Sequence, residues 1–140
     1  MKGNVRWLDG KMFLAESASG HTVVMDGPEE NGGRNIGFRP MEMVLLGLAG
    51  CTSYDVIHIL GKARQNVTDC VAEVKAVRAE SIPAVFTDIH LHFLVAGVNL
   101  KQAHVERAIK LSSEKYCSAS MMLEAGGVKI TYDYEIRQEV

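Results

Sequence analysis

Alternation of apolar and polar positions predicts strands at both ends of this chain. Near the N-terminus, the Asp9-Gly10 and Ser19-Gly20 turns separate three short apolar runs, which predicts a three-stranded meander. These runs are Val5–Leu8, Met12–Ala15 and His21–Met25. Near the C-terminus, apolar side chains at every second position from Val128 to Ile136 predict a strand with one buried face.

The longest apolar segment lies in the middle of the chain and predicts a helix. Pro40 suits the first turn of a helix, and Gly61 is a suitable stop after Leu60. The segment is apolar on most sides, so we expect a central helix that is buried in the core. Gly47 and Gly50 each cost about 1 kcal/mol relative to Ala within a helix. We therefore expect another backbone or a ligand to approach them closely.

Four further elements are predicted between this helix and the last strand. They are strands at Val71–Arg78 and Thr87–Val95, a helix from Leu100 to about Ser112, and a shorter helix through Cys117 to about Glu124. Asn99 and Gln102 have the spacing of a capping box at the start of the first of these helices. The resulting order, βββ-α-ββ-αα-β, predicts one α+β domain over residues 1–140.

Composition narrows the functional classes. The 140 residues are 47 % apolar and carry a formal net charge of -2, so no broad basic field is available for nucleic acid. The uncharged stretch Met43–Tyr54 is shorter than the roughly 20 apolar residues of a membrane span. Three cysteines, an odd number, do not suggest a disulfide framework. We expect a cytoplasmic protein with reduced thiols and no membrane or nucleic-acid partner.

Cys51 and Cys117 are the candidate reactive groups. Each lies in a predicted helical segment and is flanked by small residues. A thiol reacts as its thiolate, and a position near a helix start, as predicted for Cys117, lowers a thiol pKa. Cys51 taken alone is better explained as a small core residue than as a reactive one. Cys70 precedes a strand after a polar stretch and is interpreted as a bystander.

Two histidine patterns offer other chemistry. Asp55 and His58 share one face of the central helix, as a general-base pair or as a buried hydrogen-bonded pair. His90 and His92 share one face of a strand and could be two metal ligands. No third ligand is evident, and no cysteines or histidines have zinc-finger spacing. A solvated polar face, with no metal, is the simpler interpretation.

The element order and the two cysteine segments together resemble the OsmC/Ohr family of thiol-dependent peroxidases. The resemblance covers nearly the whole chain. One family motif is a Pro-x-Glu-type start, an apolar helix with small residues and then a cysteine, here Arg39–Cys51. The other is a cysteine that opens a short helix, here within Glu114–Ser118. The two cysteines lie 66 positions apart, similar to the family's separation.

The resemblance implies an intertwined homodimer with two sites at its interface. Cys51 would attack an organic hydroperoxide and become a sulfenic acid, and Cys117 would condense with it to a disulfide. A dithiol reductant would then open that disulfide. This chemistry needs no metal, haem or flavin, so no cofactor is expected.

Family peroxidases also activate the attacking cysteine with an Arg–Glu pair. Here the acid is Glu42, nine rather than ten positions before Cys51, which is about 180° around a regular helix. Arg39 is the candidate arginine, with Arg34 and Arg6 as alternatives. The displaced glutamate indicates a divergent branch of the family.

A second departure keeps other functions open. Ser118 follows Cys117 where the family commonly has proline. The two departures favour a non-catalytic relative that binds a small apolar ligand at the dimer interface, with thiols that only sense redox state. A structural or partner-binding domain with inert cysteines is a third possibility.

Overall fold

The structure is a computed structural model that describes all 140 residues, Met1–Val140. Its elements are β1 Gly3–Asp9, β2 Met12–Ser17, β3 Thr22–Met25, α1 Pro40–Lys62, β4 Asn66–Arg78, β5 Phe86–Val98, α2 Gln102–Leu111, α3 Ser118–Ala125 and β6 Lys129–Glu139. A short 3-10 turn at Glu29–Asn31 and a π-helical turn at Ser112–Tyr116 complete the order. The predicted α+β order, βββ-α-ββ-αα-β, is confirmed.

The chain contains two compact units, Met1–Val44 and Leu45–Val140. In the first unit, β1, β2 and β3 form an antiparallel sheet in chain order, as the meander pattern predicts. Gly10 adopts a φ of 53° in the first hairpin, a conformation that glycine reaches without strain. Whether residues 1–140 behave as a single domain stays a prediction.

The second unit contains a three-stranded sheet in the order β4-β5-β6. Strands β4 and β5 are antiparallel, whereas β5 and β6 are parallel. A parallel pair needs a long crossover, and here that crossover carries α2, the π-helical turn and α3. Cys117 therefore lies on the connection between two paired strands.

The predicted faces of this sheet are confirmed. The inward side chains of β5 are almost fully buried: Ile89, Leu91, Phe93 and Val95. Along β6, half-buried apolar side chains alternate with exposed polar ones from Ile130 to Ile136. The period-2 pattern sets these faces because successive side chains of a strand point to opposite sides.

Helix α1 buries one face only, which differs from the prediction of burial on most sides. Its buried residues are Leu48, Ala49, Thr52, Val56 and Leu60. A second face is exposed and carries Gly47, Gly50, Tyr54 and Ile57. No atom lies within 4 Å of where a Cβ would stand on either glycine, so the chain itself makes no close approach there.

By length and apolar composition, α1 also meets the requirements for a membrane-crossing helix. Core helices of soluble proteins meet the same requirements. In this chain the buried residues of α1 line one side of the helix, as in a helix that packs one face against a core.

The capping box predicted at Asn99 is wrong. Asn99 has a φ of 53°, in the left-handed region that Asn tolerates, and ends β5 rather than capping α2. The side chain of Gln138 holds Leu100 by accepting from its backbone N–H and donating to its carbonyl oxygen. Helix α2 therefore begins two residues later, with Lys101 as an N-cap whose side chain makes no capping hydrogen bond.

The inner face of β5 should dominate stability. Phe93 is 0 % exposed, so Phe93→Ala leaves a cavity and should lower the free energy of unfolding by about 3–5 kcal/mol. Val77→Ala, at an exposed position of β4, should change it by no more than about 0.5 kcal/mol. Urea unfolding at matched protein concentration compares the two, and equal losses would contradict the assignment of the core.

Candidate active site

Helix α1 and the N-terminus of α3 bring three reactive side chains together. The Sγ atoms of Cys51 and Cys117 and a carboxylate oxygen of Asp55 all lie within 4.8 Å of one another. Cys51 and Asp55 are four positions apart, so they share one face of α1. The pairing of Cys51 with Cys117, across 65 intervening residues, is the proximity that the family resemblance implies.

Local structure at Cys117 directs its sulfur toward α1. The π-helical turn Ser112–Tyr116 ends with a hydrogen bond from the N–H of Cys117 to the carbonyl oxygen of Ser112, at 2.8 Å. Cys117 then caps α3, and its Sγ accepts from the N–H of Ser120 at 3.4 Å. The sequence-based expectation that Cys117 opens a helix is confirmed.

Thr52 joins the two cysteine segments. The hydroxyl of Ser112 donates to the carbonyl oxygen of Thr52 at 2.8 Å. The Thr52 hydroxyl donates to the carbonyl oxygen of Leu48 at 2.9 Å and also lies 3.4 Å from Cys117 Sγ. A hydroxyl has one proton, so it can turn toward the sulfur when the sulfur becomes charged.

Tyr132 fixes the outer side of the π-helical turn. Its hydroxyl donates to the carboxylate of Glu114 at 2.9 Å, which links β6 to the turn. Burial, together with the neighbouring negative charge of Glu114, raises the pKa of Tyr132 to about 12. Tyr132 therefore stays protonated and keeps donating over the physiological pH range.

The two thiols have opposite electrostatic environments. Burial raises the pKa of Cys51, the N–H of Ala119 offsets part of this, and the contact with Cys117 raises the pKa further. Burial also opposes ionisation of Cys117, but hydrogen bonds from Thr52, Ser120 and Cys51 outweigh it. The pKa of Cys117 therefore lies below its ordinary value.

Ser120 favours ionisation of Cys117 through its side chain as well as through its backbone N–H. Its hydroxyl is buried and has no hydrogen-bond partner in the geometry observed. The side chain of Ser120 is nevertheless among the groups that lower the pKa of Cys117. A negative charge on Cys117 would satisfy this otherwise unpaired donor.

The thiol that ionises more readily is the one that solvent reaches less. Cys117 is 0 % exposed, whereas Cys51 is half-buried. A reactant in solution can therefore reach Cys51 but not Cys117 within one chain. The thiol whose charge is favoured and the thiol that meets solvent are different residues.

Arg39 and Glu42 are placed by hydrogen bonds at the start of α1. The Glu42 carboxylate accepts from the backbone N–H of Arg39 at 2.9 Å, which satisfies a free N–H at the helix start. The guanidinium of Arg39 donates to the Asn35 side chain at 2.7 Å and to the Gly37 carbonyl oxygen at 3.3 Å. Arg34, one of the two alternatives, pairs with Asp9. The roles of Arg39 and Glu42 toward the thiols stay predictions.

Asp55 and His58 do not form the buried pair expected from their spacing. Asp55 is half-buried beside the thiols, whereas His58 is exposed. His58 instead lines an open groove of about 470 Å³ together with Gly50, Tyr54, Ile57, Ser53 and Cys70. Burial, and then the charge of Asp69, raise the pKa of Cys70, which is consistent with an unreactive thiol.

His90 and His92 gain a third polar group from β6. Both rings contact the same oxygen of Asp133, at 3.2 Å from His90 and 2.5 Å from His92. The pKa of Asp133 is lowered, mainly by the hydrogen bond from His92. Burial acts in the opposite sense, and the hydrogen bond from His90 adds to the lowering. The sequence alone could not reveal this partner because it lies about 40 residues away.

Thr52, Ser112 and Ser120 are the site residues that sequence reasoning missed. Each is a small hydroxyl residue close in sequence to one of the cysteines or to the turn that precedes it. That proximity was the available signal, but serine and threonine are common near helix ends. Only the contact between α1 and residues 112–120 shows which hydroxyls face the sulfurs.

Comparison with known proteins identifies the protein family. The sequence matches the family model described as OsmC-like protein over residues 31–133, which is most of the chain. The chain therefore belongs to the OsmC-like family, and the predicted family membership is confirmed.

Individual relatives agree with this assignment. Over 136 residues the chain is 49 % identical to protein YhfA of Escherichia coli strain K12, covering 97 % of this chain and 98 % of that protein. It is 28 % identical to a hypothetical protein of Aquifex aeolicus VF5, with a TM-score of 0.81 over 98 % and 97 % of the two chains. The organic hydroperoxide resistance protein OhrB of Bacillus subtilis shares the fold, at 17 % identity and a TM-score of 0.63 over 96 % of both chains.

The Thr52 hydroxyl should control ionisation of Cys117. In a Cys51→Ser, Cys70→Ser background Cys117 is the only thiol that titrates. Thr52→Val should raise the pKa of Cys117 because the thiolate loses a hydrogen-bond donor. Thr52→Ser keeps the hydroxyl and should leave the titration close to that of the parent. Thiolate absorbance measured against pH tests this, and identical curves for Val and Ser would contradict it.

Proposed function

We propose that this protein reduces organic hydroperoxides by a two-cysteine mechanism. The observation that carries the proposal is the pairing of one reachable thiol, Cys51, with one buried thiol, Cys117, whose sulfur lies within 4.8 Å. Membership of a family with organic hydroperoxide resistance proteins among its structural neighbours supports it. A buried resolving thiol beside an accessible attacking thiol suits disulfide formation within one chain.

In the first step, the Cys51 sulfur attacks the terminal peroxide oxygen. The Cys51 proton passes to Cys117 through the contact between the sulfurs. The pKa order of the two thiols opposes this transfer, and the reaction of the Cys51 thiolate with the peroxide draws it forward. The O–O bond breaks, an S–OH bond forms on Cys51, and the alkoxide leaves and becomes an alcohol on taking a proton from solvent. Cys51 is oxidised by two electrons and the peroxide is reduced by two.

In the second step, Cys117 attacks the sulfur of the sulfenic acid. An S–S bond forms, hydroxide leaves, and with the Cys117 proton it becomes water. An external dithiol then reduces the disulfide by exchange and restores both thiols. Thr52 and Ser120 are positioning residues in this scheme because they act through the Cys117 sulfur.

Replacing each cysteine should separate these steps. Cys51→Ser should abolish peroxide turnover, whereas Cys117→Ser should allow a single oxidation of Cys51 to a sulfenic acid without an internal disulfide. Cys70→Ser is the matched control and should retain turnover. The assay is consumption of an organic hydroperoxide with a dithiol reductant, combined with peptide mass mapping. Full activity in Cys51→Ser would refute the mechanism.

We also propose that the protein is a homodimer in which the exposed face of α1 meets a second copy. Gly47, Gly50, Tyr54 and Ile57 follow one another at spacings of three and four, so they form a continuous stripe along the helix. Tyr54 is 76 % exposed within one chain, unusual for a large ring on an apolar helix. The glycines would let two helices approach closely, which offsets their cost to helix stability.

A bulky side chain at Gly50 should disrupt this dimer. Gly50→Leu favours the helix by roughly 0.8 kcal/mol, so weaker association could not be ascribed to a weaker helix. Ala103→Leu, at an exposed position of α2, is the control and should leave association unchanged. Sedimentation analysis should show a dimer for the parent and the control and dissociation for Gly50→Leu. A monomeric parent protein would overturn the dimer.

The groove beside α1 favours a second candidate function, binding of a small apolar ligand. Tyr54 and Ile57 supply its apolar lining, and Cys70 forms part of its wall. Two results together would favour this function over the enzymatic one. The protein would bind a fatty acid stoichiometrically and lose that binding in Ile57→Asp, and its rate of peroxide reduction would be no greater than that of a free thiol.

A further inference from the structure

The three side chains of the candidate active site are also a set of metal ligands. Cys51 and Asp55 are spaced i and i+4 on α1, the spacing with which helices present two ligands to one ion. Cys117 supplies a third donor from the N-terminus of α3. Two thiolates and one carboxylate are donors that zinc accepts.

The distances are close to those of a coordination sphere. Zinc–sulfur bonds of about 2.3 Å and zinc–oxygen bonds of about 2.0 Å place tetrahedral ligand atoms roughly 3.5–3.8 Å apart. The three donor atoms lie within 4.8 Å of one another, so they need to close by only about 1 Å, which side-chain rotation can provide. Cys117 is buried, and Cys51 and Asp55 are partly exposed, so the open side faces solvent.

The charges of the three groups also favour a cation. Two thiols and a carboxylate, all of which ionise to anions, lie within 4.8 Å of one another, and like charges this close repel. The hydrogen bonds of Arg39 and Arg34 are to other groups. A divalent cation would replace this mutual repulsion by attraction and would hold both thiols ionised.

We propose that Cys51, Cys117 and Asp55 bind a zinc ion, or a similar thiophilic divalent cation, in the reduced protein, and that a fourth position stays open to water. Binding displaces the two thiol protons and leaves the oxidation state of both sulfurs unchanged. Because the Cys51 sulfur shares one lone pair and part of its negative charge with the metal, it attacks a peroxide more slowly than the free thiolate does. This inhibition rests on the proposed peroxidase function, whereas the metal binding does not.

The test is titration of the reduced full-length protein with Co²⁺ and then Zn²⁺. One equivalent of Co²⁺ should give sulfur-to-metal charge-transfer absorption and the intense visible bands of a tetrahedral ion, and Zn²⁺ should remove both. Cys51→Ser and Cys117→Ser should each reduce the charge-transfer absorption. Asp55→Asn should weaken zinc binding at least roughly tenfold while keeping the thiols, the scale of loss seen for groups that support a metal site.

Two controls separate this site from other donors. Cys70→Ser and the double variant His90→Ala, His92→Ala should bind zinc as the parent does, because neither changes a proposed ligand. Loss of binding in the histidine variant, unchanged affinity in Asp55→Asn, or no charge-transfer absorption in the parent would each overturn the site. Peroxide turnover is assayed separately on metal-free protein, so failure of the peroxidase proposal would leave these absorption results interpretable.

Discussion

The contact between α1 and the segment 112–120 determines where the second sulfur lies. Two polar contacts of Thr52 make this connection. The hydroxyl of Ser112 donates to the carbonyl oxygen of Thr52, and the hydroxyl of Thr52 lies 3.4 Å from Cys117 Sγ. Ser112 is buried, so breaking the first of these would leave its hydroxyl without a partner. The π-helical turn delivers Cys117 to this point, and the π-helical geometry recurs at functional sites in other proteins.

This contact also sets the electrostatic difference between the thiols. Cys117 is surrounded by donors that Thr52 and the start of α3 provide, and these outweigh its burial. Cys51 lacks a comparable set and sits near the negative charge of Asp55. The family resemblance implied Cys51 as the attacking residue, and the helix start predicted at Cys117 favoured a lowered pKa there. The sequence did not reveal the hydroxyl of Thr52 as a further donor to that sulfur. Cys51 is the thiol that solvent reaches, and Cys117 is the thiol that ionises more readily. The two can act together only because their sulfurs are adjacent.

Local patterns in the sequence determined most of the fold. Strands with one buried face, such as β5 and β6, were predictable because period-2 alternation directly reflects burial. Asn99 was misjudged because its capping pattern competes with a left-handed conformation that the contacts of Leu100 with Gln138 impose. The Thr52 donor at Cys117 and the proximity of Cys117 to Asp55 depend on contacts between distant segments, which no local pattern encodes.

Helix α1 places Cys51 between its buried face and its exposed face. Thr52 belongs to its buried face and Gly50 to its exposed stripe, so Cys51 lies on the border between them. The buried face fixes the distance from Cys51 to Cys117, while whatever covers the stripe defines the space through which a reactant approaches Cys51. In the proposed dimer the second copy would form that space. Assembly and chemistry would then depend on the same few turns of one helix, and changes on the stripe would alter access to Cys51 without altering the pairing of the thiols.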